Sequence, residues 1–189
     1  IFRESFVYFY CLIQGMIRLA FRYIFYRFSA PHRKGFGVHS PFVFRLSGSV
    51  FIKKDDENLR KIRNWRKNLL TGKHTLITSD IGAGSLIHRS EVRKIEEIVK
   101  KSSIPHKYGR VLYYLVKEFK PGTIIELGTG IGISTAYLAM GNSQSALVSV
   151  DGDIEKLKFA ENSLKQIGFP DVILKQGFFT SLLPEVLKE

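Results

Sequence analysis

An α/β fold built on a doubly wound parallel sheet is predicted by three features of this 189-residue chain. The apolar strand Thr123-Ile124-Ile125-Glu126-Leu127 runs directly into Gly128-Thr129-Gly130-Ile131-Gly132, a turn that opens a helix. A second apolar strand, Ala146 to Val150, follows that helix and ends on Asp151. A third, Val172 to Lys175, follows a further helix and leads into Gly177-Phe178-Phe179. Strands that alternate with helices form a parallel sheet, and such sheets take ligands beyond the carboxyl ends of their strands.

The elements ahead of the sheet begin with thirty residues rich in Phe, Tyr and Arg. Their apolar stretch, Phe6 to Ile17, is interrupted by Gln14 and followed by Arg18, Arg22 and Arg27. It falls short of the ~20 apolar residues that a spanning helix needs, and no small-residue cleavage site marks a signal peptide. Two readings stand for this arm: a helix lying on a membrane surface with its arginines snorkelling, and a helix packed on the domain. The chain starts at Ile1, and Met16 is a candidate start that would leave residues 1–15 upstream of the functional protein.

Ser29 to Phe44 reads as a glycine- and proline-punctuated loop around Gly37-Val38-His39-Ser40-Pro41. Leu59 to Leu70 reads as a basic amphipathic helix with Leu59, Ile62, Leu69 and Trp65 on its apolar face. Thr78 to Ser85 is a second glycine-rich loop. Two helices are expected next, Ser90 to Lys101 with Val92, Ile95, Ile98 and Val99 inward, and Pro105 to Phe119, which Pro121 prevents from continuing. Within the sheet region the helices are Thr135 to Met140 and Ile154 to Gln166, the latter capped by Asp153 and stopped by Gly168.

Charge divides the chain. Residues 1–74 carry 15 Lys and Arg against 4 Asp and Glu, while residues 75–189 carry 14 against 13, so nearly all of the net +12 lies in the first part. The expected organisation is a basic, aromatic-rich extension over 1–74 followed by the sheet domain over 75–189. Such an extension suits nucleic acid, an anionic membrane surface or an acidic substrate, with a merely solvated basic surface as the alternative. Cys11 is the only cysteine, which excludes a disulfide framework within the chain and makes a reducing, cytoplasmic setting the default.

The chemistry concentrates at the glycine turn. Glycines let backbone N–H groups approach a ligand closely, and the following helix presents its positive end to an anion. A nicotinamide or flavin fingerprint wants G-x-G-x-x-G beneath a pyrophosphate, whereas this chain has G-x-G-x-G with Glu126 two residues before the first glycine. That acid would repel a pyrophosphate and attract a ligand's ammonium group. Asp151 lies at the end of the next strand, ~20 residues past the first glycine, where an acid accepts hydrogen bonds from ribose hydroxyls. The pattern suits a nucleoside with a charged amino-acid tail, the alternative being a purely structural strand-to-helix turn. Phe178, in the turn after the third strand, has a ring that either stacks on a ligand's base or plugs the core, the core role being favoured. His32, His39, His74, His88 and His106 show no metal-ligand spacing and read as structural or solvent-facing, with His39 in a loop able to fold over a ligand.

These residues resemble motif I of the class I S-adenosylmethionine-dependent methyltransferases. Ser103-Ile104-Pro105 through Gly109, Leu112, Leu115, Val116 and Pro121, leading into Glu126-Leu127-Gly128-Thr129 and Gly132-Ile133-Ser134, resemble the catechol and caffeoyl-CoA O-methyltransferase-like group. Gly37 to Phe44 with Asp80-Ile81-Gly82-Ala83-Gly84-Ser85 is similar to a subgroup found in Bacteroidetes bacteria. The resemblance implies a Rossmann-like sheet of the methyltransferase type, incomplete here, behind a helical basic N-terminal extension. It further implies that Glu126 holds the methionine ammonium, that Gly128, Thr129, Gly130 and Gly132 shape the cofactor turn, that Ser134 binds the methionine carboxylate, that Asp151 binds ribose, and that Gly177 lines the adenine side.

In the related enzymes the metal-binding acids and the general base lie beyond the third strand, so the resemblance places no catalytic residue or metal ligand in this chain. A truncated enzyme is the resulting expectation, with a divalent metal entering only in a longer protein and an exposed sheet edge favouring a homodimer. The functional expectation is S-adenosylmethionine-dependent O-methylation of a small molecule. The alternative is a non-catalytic binding module whose basic arm docks on membrane or nucleic acid.

Overall fold

The computed structural model describes residues 21–26, 29, 40–51, 53–79 and 90–187. The arm up to residue 20 with Cys11 and Met16, the loop holding His32 and His39, and the Asp80–Ser85 loop with His88 beyond it lie outside the described residues. The chain divides into two compact units, residues 1–52 and 53–189.

In the first unit residues 21–26 are helical, and helix α1 spans Pro41–Leu46 and passes into a π-helical turn, Ser47–Phe51. Residues 41–44 are thus helix and not loop. Ser40 caps α1 by accepting from the Val43 N–H, and Pro41 takes the first position, where its missing N–H costs nothing. Phe21, Tyr23, Phe25 and Tyr26 are exposed. Among the described residues no helix is long and apolar enough to cross a membrane.

The second unit begins with helix α2, Glu57–Thr71, which buries Leu59, Ile62 and Leu69 at the expected spacing, with Trp65 half-buried. Its N-cap Asp56 uses both carboxylate oxygens. Oδ1 accepts from the Leu59 N–H at 3.1 Å, and Oδ2 accepts from the Tyr113 hydroxyl at 2.7 Å and Lys117 Nζ at 3.0 Å. Burial works against the charged form of Asp56, yet these donors outweigh it and hold the carboxyl below its ordinary range.

Residues 75–79 and 90–94 are the main departure from expectation. Instead of a helix from Ser90, strands β1, Thr75–Ser79, and β2, Ser90–Lys94, pair antiparallel, and helix α3 starts only at Ile95 and ends at Lys101. Val92, expected inward, is 70% exposed and lies opposite Ile77, itself 60% exposed. The sequence Ser-Glu-Val-Arg-Lys-Ile-Glu-Glu-Ile-Val satisfies a helical period from Val92 onward. The ladder offered by β1 decides against it, because pairing gives the backbone of residues 90–94 a partner strand. Ile95, Ile98 and Val99 are buried as expected.

Helix α4, His106–Phe119, follows, with Pro105 as its N-cap and Lys120 in the left-handed conformation at its end. The sheet proper is strand β3, Thr123–Leu127, helix α5, Ile133–Gly141, strand β4, Ala146–Asp151, helix α6, Ile154–Gln166, strand β5, Ile173–Gln176, and helix α7, Phe179–Val186. The three strands are parallel in the order β3-β4-β5, with Ile125 opposite Val148 and Val150 opposite Lys175. Central β4 buries Leu147, Val148, Ser149 and Val150, as a strand covered on both faces should. Flanking β3 and β5 leave Leu127 and Ile173 exposed.

The core between α4 and α5 is set by Tyr137. This ring is fully buried, and a Cβ added at Gly109 would fall 2.2 Å from its Cε2 atom. Its hydroxyl meets His106 Nδ1 at 2.7 Å, and His106 Nε2 meets Asp55 Oδ2 at 2.8 Å. Burial opposes the charge on Asp55, but His106 and Arg63 outweigh it and keep the carboxyl ionised below its ordinary range. An ionised carboxylate only accepts, so His106 Nε2 carries the proton, and in the neutral ring Nδ1 accepts from Tyr137. Desolvation pushes the Tyr137 hydroxyl up to about 12, consistent with its role as donor.

Candidate functional site

The carboxyl ends of the three parallel strands are laced together by the backbone. The Val150 carbonyl accepts from Gly128 N at 2.8 Å and Thr129 N at 3.2 Å, which ties the glycine turn to the end of β4. Gly177 N donates to the Asp151 carbonyl at 3.0 Å, which ties the end of β5 to the same place. Gly128, Thr129, Gly130, Gly132, Ser134, Asp151 and Gly177 are therefore gathered at one edge of the sheet.

The turn needs its glycines. Gly128, Gly130 and Gly132 have φ of 98°, 54° and 86°, all in the left-handed region that disfavours a side chain. A Cβ at Gly128 or Gly130 would meet nothing within 4 Å, so the turn faces open space that a ligand can enter. At Gly132 a Cβ would press on Ala160 at 3.1 Å, so that glycine also serves packing of α5 on α6. Gly132 caps α5 without any side-chain hydrogen bond, which leaves the first-turn N–H groups available to an anion.

Asp151 occupies the centre of this edge. Its Oδ2 accepts from Gly130 N at 2.7 Å, and its Oδ1 accepts from Asp153 N at 2.9 Å. Each oxygen keeps a further lone pair, so the carboxylate braces the turn and can still accept from a ligand hydroxyl. Asp153 caps α6 as expected, its Oδ1 accepting from Glu155 N at 3.0 Å and Lys156 N at 3.3 Å. Replacing Asp153 by Ala is expected to cost about 1 to 2 kcal/mol. Urea unfolding followed by circular dichroism would measure the loss.

Glu126 sits beneath the turn and is buried. Its Oε2 accepts from the Thr135 hydroxyl at 2.6 Å and the Ser149 hydroxyl at 2.6 Å, and Ser149 in turn contacts the Thr129 hydroxyl at 2.6 Å. Ser149 has one proton and gives it to Glu126, so Thr129 must donate to Ser149. The nearby Ser134 hydroxyl also favours the charged form of Glu126. Desolvation is the largest influence on this carboxyl; it outweighs the hydroxyl donors and, helped by the nearby Asp151 charge, pushes the group above its ordinary range. The hydroxyl chain that fixes Glu126 has no local signature in the sequence. The small polar residue Ser149 amid apolar β4 is its one visible signal.

Phe178 does not plug the core. It precedes α7 and is 59% exposed, because the turn after β5 leads outward at Gly177 and it is Leu182 that lies against that glycine. Among the described residues no group of three or more His, Cys, Asp or Glu side chains comes together as metal ligands.

Against known proteins, no family model matches the chain. It is 30% identical over 86 residues to the ribosomal RNA small subunit methyltransferase H of Sulfurimonas denitrificans, covering 46% of this chain and 27% of that protein. Among solved structures, it is similar to an O-methyltransferase from Bacillus cereus in complex with SAH, at 18% identity and a TM-score of 0.47, over 73% of this chain and 51% of the other. It is also similar to the O-methyltransferase TomG from Streptomyces achromogenes in complex with SAM, at 19% identity and a TM-score of 0.47, over 71% and 48%. The chain spans about half the length of these structures. What the strand order, the parallel register and the glycine turn define is a Rossmann-like α/β unit with its polar residues gathered at the carboxyl ends of β3, β4 and β5.

Proposed function

We propose that this edge binds S-adenosylmethionine and that the chain supplies the cofactor half of a methyltransferase. The observation that carries the reading is the pairing of a buried, hydroxyl-held Glu126 beneath three left-handed glycines with Asp151 braced beside them. The arrangement matches a ligand with a cationic amino-acid end and a ribose. Asp151 would accept from ribose hydroxyls through its remaining lone pairs. The open first turn of α5 would receive the carboxylate, and Glu126 would face the ammonium charge directly or through water. Gly128 and Gly130 would line the open approach, Thr129 would hold the turn through Ser149, and Gly177 would border the adenine side.

The cofactor supplies an electrophilic methyl on sulfur. That methyl would be open to displacement from sulfur by an acceptor's nucleophile, whose proton would need a base. The residues of this chain bind and orient; none is assigned as the base. The preferred acceptor is an oxygen of a small molecule, following the resemblance of the sequence to the catechol and caffeoyl-CoA group and its Bacteroidetes-type subgroup. A cytoplasmic setting accompanies this reading.

Titration calorimetry of S-adenosylmethionine into the full chain, after circular dichroism has established folding, tests the proposal. Saturable one-to-one binding is the expected result. A folded chain that gives no binding heat at several temperatures would sink it and favour the second reading, a non-catalytic module that docks through the basic arm around Arg18, Arg22, Arg33 and Lys34.

A further inference from the structure

Helix α2 carries a second surface, independent of the strand-end site. Its apolar side is consumed by packing on α3 and α5, and the outward side is almost wholly basic and amide. Arg60, Asn64, Lys67 and Thr71 recur at spacings of four, three and four residues, which places them in one stripe along the helix. All four are exposed, as are Lys53 and Lys54 just ahead of the helix.

The neighbouring acids are already engaged. Asp55 is bonded to His106 and Arg63, Asp56 to Tyr113 and Lys117, and Glu57 lies 3.3 Å from Lys61. Arg66 is turned inward, where it donates to Ser103 Oγ, the Ile104 carbonyl and the Val99 carbonyl. Among the described residues Arg60 and Lys67 make no such bond, and both are exposed.

We propose that this stripe binds the sugar–phosphate backbone of a nucleic acid. The 15 residues of α2 span about 22 Å, at ~1.5 Å per residue, the length of ~6 nucleotide steps at ~3.4 Å each. Arg60 and Lys67 lie ~10 Å apart on it, with Asn64 between them as a hydrogen-bond donor to phosphate or sugar oxygens. A membrane surface suits the stripe less well: interfacial helices insert apolar side chains beside their cations, whereas the apolar residues of α2 are committed to the interior.

The test uses the full chain and fluorescence anisotropy with a labelled oligonucleotide of about 20 nucleotides, as RNA and as DNA, between about 50 and 200 mM salt. The double variant Arg60→Gln/Lys67→Gln is expected to bind about tenfold more weakly and to lower the salt slope by about 1.4 to 1.8, the loss of two phosphate contacts. A control of equal charge change, Lys158→Gln/Lys165→Gln on α6, should shift affinity less than twofold, and all variants should keep the parent melting temperature. Equal losses in both variants, unchanged affinity in the first, or no oligonucleotide binding at all would each overturn the proposal. So would a loss of binding to phosphatidylserine vesicles in place of the oligonucleotide. S-adenosylmethionine affinity is read separately, so this surface and the strand-end site can fail independently.

Discussion

Asp151→Ala is expected to weaken S-adenosylmethionine binding by a hundredfold or more, because the side chain has two tasks at once. It would hold the ribose, and its Oδ2 restrains Gly130 N in the glycine turn. A charge-assisted hydrogen bond contributes about 1.5 to 3 kcal/mol, roughly one to two decades of affinity, and a loosened turn adds to the loss. Asp151→Asn should fall between the two, since the amide retains one oxygen acceptor. Glu126→Gln probes the other end of the site. It keeps the shape and an acceptor for Thr135 and Ser149, yet removes the charge that would meet the ammonium, so affinity should drop at least tenfold. Calorimetry distinguishes these outcomes, and wild-type affinity in both Asp151→Ala and Glu126→Gln would remove the strand-end site from consideration.

Glu126 also makes a signed prediction about pH. Its carboxyl is raised in the folded protein, chiefly by desolvation. Between the ordinary carboxyl value and the raised one, the folded chain therefore holds a proton that the unfolded chain has released. Stability falls as pH rises through that window. Glu126→Gln lacks this titration, so its stability relative to the parent should increase from pH 4 towards pH 7, as read by urea unfolding at each pH. A constant difference across that range would mean that the carboxyl is not desolvated as the structure describes.

The parts of the molecule that could be read from sequence are those whose signals are local. Strand β3, its glycine turn, α5, β4, the Asp153 cap and α6 each announce themselves within a few residues, and each is where it was expected. The β1–β2 pair is not legible locally because Ser90–Lys94 merges into the helical period of α3, and only a partner strand 15 residues earlier breaks the tie. The exposure of Phe178 is not legible either, because burial after a strand depends on where the turn leads, which the residue's own identity does not specify. The Thr129–Ser149–Glu126–Thr135 chain and the Asp55–His106–Tyr137 contacts join residues far apart in sequence. No periodicity encodes such contacts, and each residue alone reads as ordinary.

Gly109→Ala is expected to be the most destabilising single methyl in the second unit. The new Cβ would lie 2.2, 2.4 and 2.6 Å from Cε2, Cδ2 and Cζ of Tyr137, so either the ring or the helix must move. The ring has little freedom, being fully buried with its hydroxyl held by His106, which is itself held by Asp55. The alternative, separating α4 from α5, would spoil the largest helix contact of the unit. Overpacking of this kind costs about 3 kcal/mol, a fall in Tm of roughly 10 °C for a unit of this size. Tyr137→Phe should cost about 1 to 2 kcal/mol by leaving His106 Nδ1 unpaired. The informative variant is the pair Gly109→Ala/Tyr137→Leu: the shorter side chain leaves room for the methyl, so the two losses should fall short of additive by more than 1 kcal/mol. Strict additivity in urea unfolding would show that Gly109 and Tyr137 do not meet, and with that the α4–α5 packing would be wrong.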